Sequence, residues 1–210
     1  MRSDAAIVAT VLGRSLVSIA CCMIVGLIVF QARVFHPFFW TSQLGVFSVA
    51  GSVFFYTLRI SRRNAFAVLL VLAVVTFGLL FRHLKPLLLF ADIVFFATLG
   101  AALTIFFISF YSKTVNYRNL QPLVLATIFA LAFSLATLFV GAMDIAFGYP
   151  PGYSLFEAML TNARYEFLVG LGIGLGILLL DNGYVHWAGE MLKRLVGALG
   201  QTFREFGERL

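Results

Sequence analysis

Long apolar stretches follow one another along this chain and leave few folds open to it. A helix that crosses a bilayer needs about 20 mainly apolar residues. Six windows meet that requirement, and they cover residues 6–31, 38–58, 65–82, 86–110, 120–143 and 155–180. Because backbone polar groups in lipid must be satisfied internally, such windows form helices or barrel strands. These windows are too long and too continuously apolar for barrel strands, so they predict about six transmembrane helices.

The composition places most of the chain in lipid. Hydrophobic residues make up 61% of the 210 residues and charged residues only 11%, whereas a soluble domain carries about 25% charged residues. A water-soluble fold of this length cannot bury so much apolar surface. We therefore predict an all-α integral membrane protein, with a transmembrane domain over residues 1–181 and a cytoplasmic amphipathic tail helix over residues 182–210. The first window is interpreted as a retained span, because Arg14 interrupts it and no small-residue cleavage site follows.

Basic residues in the loops predict the orientation of this bundle. Ten lysines and arginines fall on one side of the six windows and three on the other, and the remaining two lie within helical windows. The ten are Arg2, Arg59, Arg62, Arg63, Lys113, Arg118, Lys193, Arg194, Arg204 and Arg209, and the three are Arg33, Arg82 and Lys85. This excess predicts cytoplasmic N and C termini.

The net charge of +6 needs no nucleic-acid partner. It follows from the loop charges, and it favours contact with anionic lipid headgroups. The bilayer is therefore the expected partner. Arginine outnumbers lysine and no organelle-targeting presequence is evident, so a bacterial inner membrane is the expected location.

The tail from Tyr184 to Leu210 has the pattern of an amphipathic helix. Its apolar residues recur at steps of three and four, namely Ala188, Leu192, Leu195, Leu199, Phe203, Phe206 and Leu210. That stripe is typical of a helix with one buried face. Such a helix lies in the membrane interface or packs against a partner helix, and the sequence leaves both interpretations open.

Polar residues around the start of the sixth window are the first candidate site. Ser154 and Glu157 have the spacing of a capping box, which predicts a helix start there. Beyond that start, one interpretation is that Arg164 is an interfacial anchor that pairs with Glu157, Asp144 or Glu166. The other is a polar pocket at the outer mouth of the bundle, which would serve as a substrate or ion pathway. That pocket would be formed by Asp144, Asn162, Arg164 and Glu166.

Asp92 is the second candidate, because it is an acid inside the fourth apolar window. An unpaired carboxylate in lipid is costly. Asp92 either pairs with Arg82 or Lys85 across the preceding tight turn, or it serves as a carboxylate that couples transport to a proton or cation.

Glycines in the sixth window predict close helix packing. Gly170, Gly172, Gly174 and Gly176 form two interleaved pairs with a spacing of four. Residues four apart share a helix face, so each pair opens a groove for a neighbouring helix. The neighbour is either a helix of the same chain, a second copy or a membrane partner subunit.

Sites for cofactors and catalysis have no recognisable pattern in this sequence. The histidines, His36, His83 and His186, all fall at predicted span ends, so no haem is expected, and no cysteine or histidine cluster has zinc spacing. Adjacent Cys21 and Cys22 cannot easily form a disulfide and are expected to pack in the core. We expect no cofactor and no bound metal, and an enzyme is disfavoured because no catalytic constellation is present.

Two classes of function remain. The first is a small transporter or permease component, in which polar residues of the last three spans line a route for a small solute or ion; intramembrane charge favours it. The second is a non-catalytic membrane subunit that scaffolds or regulates a partner complex through the glycine-rich helix and the tail helix.

Overall fold

A computed structural model describes residues 4–30, 43–61, 63–65, 67–68, 71, 86–112, 121–146 and 154–207. Six helices have defined bounds within these residues. They are α1 (Asp4–Phe30), α2 (Gln43–Ile60), α3 (Pro86–Ser112), α4 (Pro122–Ala146), α5 (Leu155–Asp181) and α6 (Tyr184–Gly207). Residues 63–65, 67–68 and 71 are also helical, and most of the predicted third span lies outside the described residues.

The all-α prediction is confirmed for the described residues, none of which forms a strand. Three helices in this part of the chain are long and apolar enough to cross a membrane, and they correspond to α1, α4 and α5. Shorter apolar helical stretches cover Phe47–Ile60 and Thr98–Tyr111. The structure therefore supports a membrane protein, while the number of six spans stays a prediction.

Helix α5 lies at the centre of the described bundle. It packs most extensively against α4, and also against α1 and α2. Helix α3 packs against α4, and its Phe96 ring lies 6.5 Å from the Phe47 ring of α2. Val169 and Ile173 of α5 are fully buried in one core cluster with Phe129 of α4, Tyr56 of α2 and Cys22 of α1. The residues at the centre of α5 are therefore surrounded by protein.

Helix α5 begins where the sequence predicted, but the side-chain interaction predicted to cap it is absent. Ser154 is the N-cap, with extended backbone angles (φ −64°, ψ 126°), and its carbonyl oxygen accepts the Ala158 N–H at 3.0 Å. The Ser154 side chain makes no capping hydrogen bond, so the predicted capping box with Glu157 does not form. Both side chains are exposed, and water can satisfy the free N–H groups at an exposed helix start.

A two-residue turn joins α5 to α6. Asn182 caps α5, because its backbone N–H donates to Leu178 O at 3.1 Å and its side-chain amide donates to the same oxygen at 2.8 Å. Gly183 follows with φ 72°, a left-handed conformation that glycine adopts without a steric penalty. The Gly183 carbonyl then accepts the Trp187 N–H at 3.0 Å and starts α6.

Candidate functional site

The glycines of α5 bring two neighbouring helices to within backbone contact. A Cβ atom added at Gly170 or Gly174 would overlap the backbone of α4, at Ala126 and Pro122 respectively. One added at Gly172 would lie 2.6 Å from the Cα atom of Cys22 in α1. Since real Cβ atoms do not approach a backbone so closely, only glycine fits at these positions.

Gly176 completes the second pair. A Cβ atom there would overlap Ser18 of α1, with the Ser18 Cα atom 3.0 Å away. The pair Gly170 and Gly174 therefore faces α4, and the pair Gly172 and Gly176 faces α1. Both neighbours are helices of the same chain, one of the alternatives that the sequence left open.

Beside the second pair, polar side chains, most of them small, form a row between α1 and α2, which we call the polar seam. Each of its members is buried. The polar seam comprises Ser15, Ser18 and Cys22 of α1 and Ser48, Ser52 and Tyr56 of α2. On both helices these residues recur at steps of three or four, so each set lies along one helix face.

Several polar groups of the seam are paired. The Ser18 hydroxyl and the Tyr56 hydroxyl are 3.0 Å apart and share a hydrogen bond. The Cys22 thiol donates to the backbone oxygen of Val169 in α5 at 3.6 Å, and the Ser48 hydroxyl donates to Leu44 O of its own helix at 2.6 Å. These contacts tie α1 to α2 and α5.

Two hydroxyls of the seam lack such a contact. Ser15 Oγ and Ser52 Oγ are buried and have no hydrogen-bond partner among the described residues. A buried hydroxyl without a partner costs free energy, on the order of 1–3 kcal/mol. The seam therefore offers oxygen atoms that can still accept or donate a hydrogen bond.

Glu166 is the buried acid of α5. It is only 2% exposed, and its Oε1 atom has no hydrogen-bond partner within the described part of the chain. Glu166 lies one turn before Gly170, in a helix of spanning length. Burial of a carboxyl group with an unpaired oxygen is unfavourable, so Glu166 lowers the stability of the folded bundle.

The register of the helices places Glu166 at the same level of the bundle as Ser48, the last α2 residue of the polar seam in this direction. The contacts of α1 with α2 and with α5 are antiparallel, so α2 and α5 run in the same direction. A Cβ atom added at Gly51 of α2 would lie 2.9 Å from Val169 Cγ1. Ser48 and Glu166 each precede these contact residues by three positions, and they therefore lie at the same level of the bundle.

The other residues of the predicted outer pocket are not gathered around Glu166. Arg164 is exposed, whereas Glu166 is buried. Side chains two residues apart on a helix point in directions that differ by roughly 200°, so these two lie on different sides of α5. The Asn162 amide donates to Thr137 Oγ1 of α4. Asp144 is partly exposed near the end of α4. The four residues therefore do not share one pocket.

The ion pair predicted for Arg164 does not form. Where side chains are described, the salt bridge found joins Lys193 and Glu190 of α6 at 3.0 Å. Arg164 pairs with none of Glu157, Asp144 and Glu166, and its exposure lets water or lipid headgroups solvate the guanidinium instead.

Asp92 keeps its place as a candidate. It lies in the second turn of α3, but its side chain falls outside the described residues, as do Arg82 and Lys85. Neither of the two interpretations of Asp92 is decided, and both remain predictions.

The polar seam was missed at the sequence level, although a signal for it exists. Ser15, Ser18 and Cys22 are polar or small residues at helical spacing in an otherwise apolar helix, and so are Ser48 and Ser52 with Tyr56. Serine is common in transmembrane helices as a packing residue, which makes such a stripe easy to overlook. What distinguishes the seam is that stripes on two helices face each other.

Metal ligands are not clustered in the described residues, where no group of three or more His, Cys, Asp or Glu side chains is found. Comparisons with protein-family models, with curated proteins and with solved structures give no match for this chain. The site has to be interpreted from its own chemistry.

Proposed function

We propose that this protein is a membrane transporter or permease component that moves a small solute or ion, and that Glu166 binds the transported or coupling cation. The observation that carries the proposal is the burial of the Glu166 carboxyl group without a hydrogen bond to Oε1 from any described residue. An ionisable group inside a membrane span is expensive and is typically kept for a function in transport or proton relay.

The polar seam supports this proposal, because its polar groups would line a route through the apolar bundle. It begins with Ser48 at the level of Glu166 and passes Cys22, Ser52 and Ser18 toward Ser15. Along α1, Ser15 and Cys22 are separated by about 10 Å at 1.5 Å per residue. Hydroxyl oxygens along such a path can solvate a proton or a small cation on its way to a carboxylate.

The alternative function, a non-catalytic scaffolding subunit, was expected to bind its partner through the glycine-rich helix and the tail helix. The four glycines are already covered by α1 and α4 of the same chain. A partner subunit would therefore have to bind elsewhere, and transport is the function that we favour.

We place this transporter in the inner membrane of a bacterium, with both termini in the cytoplasm. The excess of lysine and arginine on one side of the predicted spans supports this orientation, and the predominance of arginine over lysine supports the bacterial location. In that orientation, Ser15 lies toward the cytoplasmic end of the polar seam.

Transport can be tested before the substrate is identified. The full chain is reconstituted in liposomes on a solid-supported membrane, and charge movement is recorded on rapid exchange to protons, sodium, potassium and a panel of small polar solutes. We expect a transient current for at least one of these. It should be lost in Glu166→Gln, since the amide cannot carry the negative charge that binds a cation.

Glu157→Gln is the matched control, because Glu157 lies on the same helix but is exposed at its first turn. It should keep the full current. Currents no larger than those of empty liposomes across the whole panel, or equal currents in Glu166→Gln and the parent chain, would contradict the proposal.

A further inference from the structure

We propose that α6 lies flat in the headgroup layer of the leaflet at which α5 ends, held there by its apolar face and not by its charges. The partner is thus a lipid surface. Three observations carry this inference: the shape of the exposed apolar face, the short connection to α5 and the charge balance of α6. None of them depends on the transport proposal.

The apolar face of α6 covers about half of the helix circumference, at about 100° per residue. Its exposed members include Tyr184, Val185, Trp187, Met191, Leu192, Leu195, Val196 and Leu199. Trp187 and Leu192 are each 62% exposed, and Leu195 is 57% exposed. Among the described residues, α6 packs mainly against α5, which leaves this apolar face uncovered by protein.

The connection to α5 places this face beside lipid. α5 has spanning length and ends at Asp181, and α6 begins at Tyr184. Three residues reach at most about 11 Å when fully extended. The first turn of α6 therefore lies at the membrane surface, where tyrosine and tryptophan, such as Tyr184 and Trp187, are favoured.

The width of the apolar face favours lipid over a second helix. A helix that pairs with one partner uses a narrow apolar stripe, whereas a helix in the membrane interface presents a broad apolar face opposite a charged one. Most of the charged and polar residues of α6 lie on the other half of its circumference. They include Glu190, Lys193, Arg194, Gln201 and Arg204.

The charge balance of α6 excludes strong electrostatic attachment. α6 contains three basic and two acidic residues, so its attraction to anionic headgroups is weak. Apolar burial must then provide most of the attachment. This distinguishes α6 from a polybasic membrane anchor, whose binding falls steeply as salt is added.

Fluorescence of Trp187 tests the inference in the full-length protein. The chain contains two tryptophans, Trp40 and Trp187, so Trp40→Phe leaves Trp187 as the only tryptophan reporter. The protein is reconstituted in phosphatidylcholine vesicles whose acyl chains carry bromine at different depths. We expect quenching strongest for shallow bromines, since interfacial helices insert about 5–10 Å into the headgroup boundary.

The quenching should not change when phosphatidylglycerol is added or when salt is raised. Leu195→Lys places a charge on the apolar face and should reduce quenching, whereas the matched variant Gln201→Lys places it on the polar half and should not. The inference would be overturned if aqueous iodide quenched Trp187 fluorescence and bromolipid did not. A blue-shifted emission insensitive to both quenchers, with a protein partner or a second copy recovered by crosslinking, would overturn it as well.

Discussion

Helices α5 and α6 follow one another in the chain and both contain several glycines, yet the surroundings of these glycines are opposite. In α5, a Cβ atom added at Gly170, Gly172, Gly174 or Gly176 would overlap a neighbouring helix. In α6, a Cβ atom added at Gly189, Gly197 or Gly200 meets nothing within 4 Å. Glycine content alone therefore does not indicate packing.

The spacing of the glycines explains the difference. The α5 glycines are four residues apart in pairs, within a stretch of the helix, residues 167–180, that is apolar on every side, so each pair forms a groove. The α6 glycines fall on its polar half, where no neighbour approaches. A glycine contributes to helix association only when it lies on the face that a neighbour covers.

Glutamates show the same contrast. Glu166 in α5 is buried, and its Oε1 atom has no partner among the described residues. Glu190 in α6 is exposed to water over about half of its side chain (47%) and pairs with Lys193. The glutamate of α5 therefore lowers the stability of the folded protein, whereas the glutamate of α6 has little effect on it. The following substitutions test how far this contrast extends.

Gly174→Leu should have the largest effect. Its side chain would enter the space of Pro122, whose Cβ atom lies 2.8 Å from an added Cβ. Overpacking of this kind costs about 1–3 kcal/mol, and in lipid no hydrophobic gain between helices offsets it. We expect a clear fall in the melting temperature in detergent. Leu178→Ala, at a residue that is 43% exposed, serves as the control and should change little.

An unchanged melting temperature in Gly174→Leu would show that α4 and α5 are not held in close contact at Gly174. It would also remove the contrast between α5 and α6, because glycines of both helices would then tolerate a large side chain.

Glu166→Met should raise the melting temperature while it abolishes transport. Methionine has a similar size and needs no hydrogen bond, so the substitution removes the cost of an unsatisfied buried group, on the order of 1–3 kcal/mol. Glu190→Met in α6 is the matched substitution and should have little effect on either property, because exposed ion pairs contribute little. A strong loss of stability in Glu166→Met would instead indicate that the carboxylate has a structural partner.

Gly197→Ala should stabilise α6 alone. Alanine is favoured over glycine by about 1 kcal/mol in a helix interior, and a Cβ atom at Gly197 has open space. Hydrogen exchange of the α6 amides should slow, with no change in the melting temperature of the bundle. Gly172→Ala should lower that melting temperature, because its Cβ would meet Cys22. Equal effects of the two alanines would contradict the contrast between the helices.

The smallest expected effect compares two polar contacts of equal length. Ser18 and Tyr56 are 3.0 Å apart in the bundle, and Lys193 and Glu190 are 3.0 Å apart on α6. Double-mutant cycles on melting free energy, with Ser18→Ala and Tyr56→Phe for the first pair, should give a coupling of about 0.6 kcal/mol. Lys193→Ala and Glu190→Ala should give a coupling near the error of the measurement. A larger coupling for the exposed pair would reverse the expected order.

Much of the fold could be predicted from the sequence because apolar length and period are local properties. The described bounds of α1, α3, α4 and α5 agree with the predicted windows to within a few residues, and the amphipathic tail forms α6. The four-residue spacing of the α5 glycines predicted two packing faces, and the structure shows one facing α4 and the other facing α1.

The candidate site was harder to predict, because it depends on which helix faces meet. Arg164 and Glu166 are neighbours in sequence, and both were assigned to one pocket, but they lie on different sides of α5. Ser15 and Ser52 were not predicted as site residues, since a single serine stripe has no meaning until its facing helix is known. The prediction of a capping hydrogen bond from the Ser154 side chain was wrong for a related reason. Whether water can satisfy the free N–H groups of a helix start depends on tertiary structure, which the local sequence does not give.

The turn at Asn182 and Gly183 has a mechanical consequence. Asn182 is bonded to α5 through two hydrogen bonds to Leu178, and Gly183 is bonded to α6 through Trp187. A connection of two residues that is hydrogen-bonded to the helix on each side is too short to absorb a displacement of either helix. A displacement or tilt of α5 is therefore expected to move α6 as well. If α6 lies in the headgroup layer as proposed, a change in bilayer thickness or curvature would therefore act directly on the helix that contains Glu166.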